Sequence, residues 1–111
     1  MGVSTNIYTF YGIKIEWNDD FHEAYDEVYA DLQVPVIVDG MMGEYIVFGE
    51  QLFDSGDFRY GMEDGQTYTE TDLEALPELR EKYIEEFCKW LPEFRHLIGV
   101  EWKIICFTHY S

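Results

Sequence analysis

The chain has few basic residues: 7 Lys and Arg stand against 23 Asp and Glu in 111 residues, which gives a formal net charge of −16. No Lys or Arg occurs between Lys14 and Arg59, an interval that holds twelve acidic residues. Proteins that bind nucleic acids need basic side chains to neutralise phosphate groups, so this composition argues against direct nucleic-acid binding. Repulsion among so many like charges destabilises a compact state, and the acidity exceeds what solubility requires.

The sequence also lacks the motifs of most enzymes and metal centres. It contains no P-loop, no dinucleotide-binding glycine motif and no nucleophile elbow. His22 and Glu23 begin H-E-x-x-D, in which Asp26 stands where a zincin has its second His. An acidic, Gly-rich loop at about 54–70 lacks the EF-hand spacing. We therefore expect no enzymatic activity, no cofactor and no metal site, and a metal-dependent hydrolase is the least favoured alternative.

Long apolar runs and targeting signals are absent as well. The N-terminal residues show neither the basic segment nor the apolar core of a signal peptide, and no apolar run approaches the length of a membrane span. The two cysteines, Cys88 and Cys106, lie inside apolar stretches, and their spacing matches neither a zinc site nor a disulfide framework. These observations predict a cytoplasmic protein with two buried, reduced thiols.

The composition is nevertheless that of a folded protein. Hydrophobic residues make up 47% of the chain and aromatic residues 18%, which is far from the composition of disordered chains. The length fits one domain, and we expect residues 1–111 to share a single hydrophobic core.

Hydrophobic periodicity predicts an α+β fold. Alternating apolar residues indicate strands over 6–17 and 100–110, and the stretch 34–49 indicates two strands joined by a turn. Helical spacing indicates a helix over about 20–32 and another from about 72 to 91. This order is the ferredoxin-like split βαβ pattern (β-α-β-β-α-β): an antiparallel four-stranded sheet with two helices on one face, in which the first and last strands are neighbours.

The same alternation predicts an aromatic sheet face away from the helices. It holds Tyr8, Phe10, Ile105 and Phe107, with Tyr45 and Val47 as further members, whereas Val100, Trp102 and Ile104 are predicted to face the helices. Soluble monomers rarely expose large apolar patches, so an uncovered face of this kind marks an interface. One alternative function is therefore a structural or regulatory protein that dimerises through this face. In the other arrangement, the loop at 50–70 covers it.

The first predicted helix carries the strongest functional signal. Asp20, Glu23, Glu27 and Asp31 are spaced three, four and four residues apart, so they form one ridge on a helix. At a rise of 1.5 Å per residue, neighbouring carboxylates are about 5–6 Å apart, comparable to phosphates along a nucleic-acid strand. The candidate partner-binding residues are Asp19, Asp20, Glu23, Asp26, Glu27 and Asp31, with Asp54, Asp57, Glu63 and Asp64 as a second patch.

This pattern favours a binding protein over an enzyme. A rigid fold that presents carboxylates in phosphate-like rows can occupy the basic groove of a nucleic-acid-binding protein. In charge and size the chain resembles the small acidic inhibitors that bacteriophages and mobile elements direct against host nucleases and defence complexes. The resulting hypothesis is a nucleic-acid mimic that inhibits a nuclease, a restriction enzyme or, as an anti-CRISPR protein, a CRISPR-type complex. A solvated acidic face and adaptation to high salt are alternative explanations of the acidity.

Overall fold

The computed structural model describes residues 5–57 and 68–110 of the chain. In chain order the elements are β1 (Thr5–Glu16), α1 (Asp19–Val28), β2 (Val36–Val38), β3 (Tyr45–Asp54), α2 (Leu76–Trp90), α3 (Arg95–Ile98) and β4 (Lys103–Tyr110). Two short 3-10 turns, Leu73–Ala75 and Pro92–Phe94, precede α2 and α3. The predicted order of strands and main helices is therefore observed, and the short helix α3 follows α2 after Pro92.

The four strands form one antiparallel sheet in the order β2-β3-β1-β4. β1 pairs with β4 from Thr5 to Gly12, which confirms that the first and last strands are neighbours. The α+β class with a four-stranded antiparallel sheet is confirmed. The ferredoxin-like plan is matched only in part, since the described residues include a third helix and two 3-10 turns.

One face of the sheet packs against α1 and α2 and forms the main core. Ile46 and Phe48 of β3 are buried there beneath Phe21 of α1 and Phe87 of α2. The Phe21 ring stacks on the Phe87 ring with centroids 5.8 Å apart, and Trp102 meets the Phe48 ring edge-on at 5.9 Å. Burying an aromatic or large aliphatic side chain of this kind stabilises the fold by about 1.5–3 kcal/mol.

Helix α1 begins where the sequence predicts and ends earlier. The Asn18 side chain caps it by accepting a hydrogen bond from the Phe21 backbone N–H (3.0 Å). The helix ends at Val28, and residues 29–31 form a turn that brings Leu32 into the core at 7% exposure. The predicted end at residue 32 is wrong, because residues 29–31 are exposed and an acidic C-terminal turn is unfavourable next to the negative end of the helix dipole.

The sheet bends where Gly12 of β1 pairs with Gly49 of β3. A Cβ atom at Gly12 would lie 1.9 Å from the Phe48 carbonyl oxygen, and a Cβ atom at Gly49 would lie 2.2 Å from the Tyr11 carbonyl oxygen. Gly49 also has a φ of 148°, a backbone conformation that residues other than glycine rarely adopt. Both strands can approach and bend here only because these two positions are glycine.

The bend makes the face away from the helices concave. Tyr45 pairs with Glu16 and Phe107 pairs with Tyr8, positions that are about 26 Å apart along a straight strand. Yet the rings of Tyr45 and Phe107 have centroids only 5.8 Å apart. The two ends of the sheet therefore fold toward each other and pack on their own side chains.

The predicted aromatic face is consequently not open. Phe10 and Val47 have no exposed surface, and Tyr8, Ile105 and Phe107 are only partly exposed. Alternation along a strand shows which residues share a face but not how strongly the sheet curves, so the sequence did not predict this packing. Residues 58–67 of the loop that was the alternative cover lie outside the described residues, and dimerisation through the face stays a prediction. Any dimer through this face would require the concave packing to open.

β4 extends beyond the helix layer. Trp102, just before the strand, is buried in the core as predicted. Val100 and Ile104, which were also expected to face the helices, are 51% and 56% exposed, and Cys106 is exposed rather than buried. Cys88 on α2 is partly buried. These predictions fail because the core side chains that meet the helices come from the Tyr11–Trp17 half of β1, and the pairing with β4 runs along the other half.

Candidate docking surface on the first helix

The predicted ridge is exposed on α1 and on the turn that follows it. Asp20, Glu23 and Glu27 lie on the helix, and Asp31 lies in the turn after it. All four residues are exposed. We use the term acidic ridge for these four residues, of which the structure places three on one helix.

The ridge carboxylates have no partner within the described parts of the chain, residues 5–57 and 68–110. There, the side chains of Asp20, Glu23, Glu27 and Asp31 make no hydrogen bond or ion pair. Two ion pairs occur in those parts, and only one of them involves α1. The ridge carboxylates are therefore exposed to solvent and can interact with a basic partner.

The two flanking acids are partly engaged in local contacts. Asp19 accepts a hydrogen bond from the Trp17 indole Nε1 at 2.7 Å. Asp26 lies 3.8 Å from the His22 Nε2 atom, and the His22 ring packs against Trp17 with centroids 4.7 Å apart. These contacts fix the start of α1 and leave both carboxylates at the surface.

The apolar side of α1 holds the ridge in place. Phe21 is 1% exposed and packs against the edge of the Phe94 ring at 5.4 Å, and Ala24, Tyr25 and Val28 pack against the same core. A helix fixed in this way presents its carboxylates without a large loss of conformational freedom on binding, which favours affinity.

The second predicted patch is separate from the ridge. α1 follows the Glu16 end of β1, whereas Asp54 and Asp57 bond to the Thr5 end of that strand. Asp54 accepts hydrogen bonds from the Asn6 Nδ2 atom (3.0 Å) and the Gly56 N–H (2.9 Å), and Asp57 accepts one from the Thr5 N–H (3.2 Å). These two side chains fasten the end of β3 to the start of β1. Glu63 and Asp64 lie outside the described residues.

A polar cluster on the concave face is a feature that sequence reasoning missed. The Tyr45 hydroxyl and His109 Nδ1 are 2.9 Å apart, and His109 is 8% exposed. Asp39, 4% exposed, accepts hydrogen bonds from the N–H groups of Met42 and Glu44, both at 3.1 Å. Asp39 and Gly40 gave a turn signal in the sequence, but no motif connected that turn to a histidine seventy residues later.

The protonation of this cluster follows from its burial. Burial favours the neutral form of Asp39, but the N–H groups of Met42, Glu44 and Met41, assisted by His109, outweigh it and hold the pKa of Asp39 below its usual value. Burial lowers the pKa of His109, and Asp39 opposes that shift. The cluster thus connects the turn after β2 to the end of β4. Its histidine is neutral at pH 7.

The described part of the chain gathers no set of three His, Cys, Asp or Glu residues that could hold a metal ion. In the same part, no helix is both long and apolar enough to cross a membrane.

No protein-family model matches the chain, no curated protein matches it in sequence, and no solved structure matches its fold.

Proposed function

We propose that the protein is a non-enzymatic binding protein that docks its acidic ridge on a basic surface of a larger protein. In the sharper form of the proposal, that surface is the nucleic-acid-binding groove of a nuclease, a restriction enzyme or a CRISPR-type complex. The ridge then occupies positions that phosphates would take and inhibits the partner. The observation that carries the proposal is the row of exposed carboxylates, on α1 and the turn after it, that have no partner among the described residues and that the core holds in place.

The energetics of α1 support a role for the ridge beyond folding. Glu23 has acidic neighbours at Asp19 and Glu27, each four residues away, and Glu27 has Asp31 four residues further on. Like charges at this spacing destabilise a helix by about 0.2–0.5 kcal/mol per pair. The last turn of α1 also contains no basic residue to complement the helix dipole. Folding alone would favour lysine at some of these positions.

The partner is identified by its chemistry. A surface that binds DNA or RNA carries clustered Lys and Arg, so long-range attraction to a chain of net charge −16 speeds encounter. Such an association weakens steeply as salt rises, because screening shortens the range of the attraction. Duplex DNA must also compete with the protein for the same groove.

The experiment compares two charge-matched triple variants. Host proteins that bind the tagged wild type are eluted with salt, and the affinity of each purified binder is measured for wild type, for E23K/E27K/D31K and for the control E74K/E78K/E85K. The control reverses three exposed acids on or next to α2. We expect the ridge variant to lose at least about a hundredfold in affinity and the control to lose much less.

Two further results would test whether the protein mimics nucleic acid. Duplex DNA should displace the protein from its partner, and the protein should inhibit that partner's activity on nucleic acid. Unchanged affinity in the ridge variant, with its circular dichroism spectrum intact, would exclude the ridge as the docking surface. Binding that depends on the ridge but does not compete with DNA would leave an acidic adaptor and contradict mimicry.

We also propose that the domain is a variant of the ferredoxin-like split βαβ fold with α3 inserted before β4. The chain order of the main elements and the antiparallel sheet support this proposal. An experimental structure would test it through the position of α3 relative to the sheet and the two main helices.

A further inference from the structure

The outer edge of β4 has free backbone groups. Ile7 donates its N–H to the Ser55 Oγ atom and accepts from the Ser55 N–H, so its backbone points toward β3. Because backbone direction alternates along a strand, the even-numbered residues of β1 point toward β4. Their partners on β4 are the odd-numbered residues, from Lys103 to His109. The N–H and C=O groups of the intervening residues therefore point away from the sheet: Ile104, Cys106, Thr108 and Tyr110.

The side chains of this outward row are also exposed. Ile104 and Tyr110 are 56% and 51% exposed, and Cys106 and Thr108 are exposed as well. Within the described residues no strand pairs with this edge, and β2, at the other edge of the sheet, has only three residues. β4 is thus the long edge of the sheet, with both its backbone and its side chains accessible.

Natural proteins usually protect such an edge with charged side chains, proline or a bulge. Residues 104–110, IICFTHY, contain no proline and no acidic or basic residue except His109. Burial lowers the pKa of His109, so the segment is uncharged at neutral pH. In a chain of net charge −16, this neutral strand is a surface on which two copies can meet with little local repulsion.

We propose that β4 pairs in antiparallel orientation with β4 of a second copy, which joins two sheets edge to edge. A strand that pairs with its own copy about a two-fold axis is self-complementary, as a symmetric dimer requires. The arrangement with the greatest overlap centres the axis on Phe107 and sets Ile104 opposite Tyr110 of the second copy, and Cys106 opposite Thr108. All four outward residues then bond in each chain, which gives about eight inter-strand hydrogen bonds. This dimer uses the strand edge and leaves the concave face packed.

The first test measures the mass of the wild type in solution. An edge pairing is a small interface, so we expect a dissociation constant on the order of 10–100 μM and a dimer of about twice the 13.2 kDa monomer in sedimentation at higher concentrations. The dimer should strengthen between low and high salt, because screening reduces repulsion between the two acidic copies. A wild type that stays monomeric at about 500 μM in 0.5 M NaCl would overturn the proposal.

The second test removes one outward donor. Thr108→Pro deletes an N–H that β1 does not use, a position where edge strands tolerate proline. Loss of two inter-strand hydrogen bonds per dimer should raise the dissociation constant about thirtyfold. Thr108→Lys should weaken the dimer to a similar extent, because it places a charge on the edge. Met42→Lys is the charge-matched control, since this side chain is 69% exposed and lies away from β4, in the turn between β2 and β3. A dimer that all three variants leave intact would contradict the edge pairing.

The third test needs no mutation. As concentration rises, amide exchange should slow at Ile104, Cys106, Thr108 and Tyr110, while the N–H groups of Ile105 and Phe107, already bonded to β1, should change little. An even change along the strand, or none while the mass doubles, would assign the dimer to another surface. The ridge variant and the edge variants have separate readouts, so either proposal can fail alone.

Discussion

The two main helices differ in how many basic residues accompany their acidic residues. α2 (Leu76–Trp90) interleaves Glu with Arg80, Lys82 and Lys89. Arg80 donates to the Glu81 carboxylate at 2.7 Å and to the Val100 carbonyl oxygen at 3.3 Å. α1 (Asp19–Val28) has acids along its exposed side, and His22 is the one side chain on it that can become positively charged.

This difference distinguishes acidic residues that make stabilising contacts within the domain from acidic residues that do not. On α2, Glu86 accepts a hydrogen bond from the Trp90 indole Nε1 (3.1 Å), and Lys89 stands in the last turn, where the helix dipole favours a cation. On α1 the ridge carboxylates of Asp20, Glu23 and Glu27 bond to nothing among the described residues, and the last turn holds no cation. The contacts of Glu81 and Glu86 on α2 lie within the domain, whereas we propose that the ridge of α1 serves a partner.

The largest expected effect tests how the two helices are held. Phe21 is the buried residue of α1, whereas α2 buries four side chains. Phe21→Ala should lower the free energy of unfolding by about 3–5 kcal/mol, because it empties the contact between α1 and the core. Urea denaturation measures the loss. Tyr29→Ala, at a side chain 62% exposed just after the end of α1, should cost no more than about 0.5 kcal/mol. Equal costs for the two variants would mean that Phe21 does not anchor α1.

The second effect concerns a polar link that α2 has with the sheet. The Tyr83 hydroxyl donates a hydrogen bond to the Glu50 Oε2 atom, and burial together with Glu50 raises the pKa of Tyr83 far above its usual value. Because the folded state retains this proton longer than the unfolded chain, the contribution is complete below about pH 10 and is lost as pH rises above it. Tyr83→Phe should lower the free energy of unfolding by about 1–2 kcal/mol at pH 7 and make the loss above pH 10 shallower.

The measurement is urea denaturation at pH 7 and at several values above pH 10. Burial also raises the pKa of Tyr8, Tyr25 and Tyr45, so some alkaline loss should remain in the variant. Tyr29→Phe, at an exposed tyrosine, is the matched control and should change the slope much less than Tyr83→Phe does. A wild-type slope retained in Tyr83→Phe would show that the link to Glu50 has no role in it.

Local sequence signals were sufficient for the order of elements and for the pairing of β1 with β4. Alternation in residues 6–17 and the cap at Asn18 act over a few residues, so they survive in the folded chain. The curvature of the sheet was not predictable in this way. It depends on Gly12 and Gly49 facing each other across two strands, and each glycine alone is compatible with many structures.

Three of the four ridge residues were predictable for a similar reason, since helical spacing fixes which residues share a face, whereas Asp31 lies in the turn after α1. The end of α1 was not predictable, because the apolar spacing continues to Leu32, whereas the helix ends at Val28, where an acidic last turn is unfavourable next to the helix dipole. The cluster of Asp39, Tyr45 and His109 escaped prediction because His109 is far from the other two in the sequence and meets Tyr45 only in the folded sheet. Asp54 and Asp57 read as surface acids in the sequence, yet they bond to the start of β1.

The smallest effect should have opposite signs on the two helices. Glu23→Gln with Glu27→Gln removes like-charge neighbours at i,i+4 and should raise the free energy of unfolding by about 0.5–1 kcal/mol. Glu78→Gln with Glu85→Gln removes carboxylates that stand four residues before Lys82 and Lys89, the favourable order, and should lower it by a similar amount.

Thermal unfolding at low salt and in 1 M NaCl measures both changes. At 1 M the screening length is about 3 Å, so both effects should shrink, and they should converge on zero from opposite sides. If both double variants raise the free energy of unfolding, net charge alone destabilises the fold and α1 does not differ from α2. Opposite signs, together with loss of partner binding only in the α1 pair, would mean that α1 gives up helix stability where it keeps its carboxylates for binding.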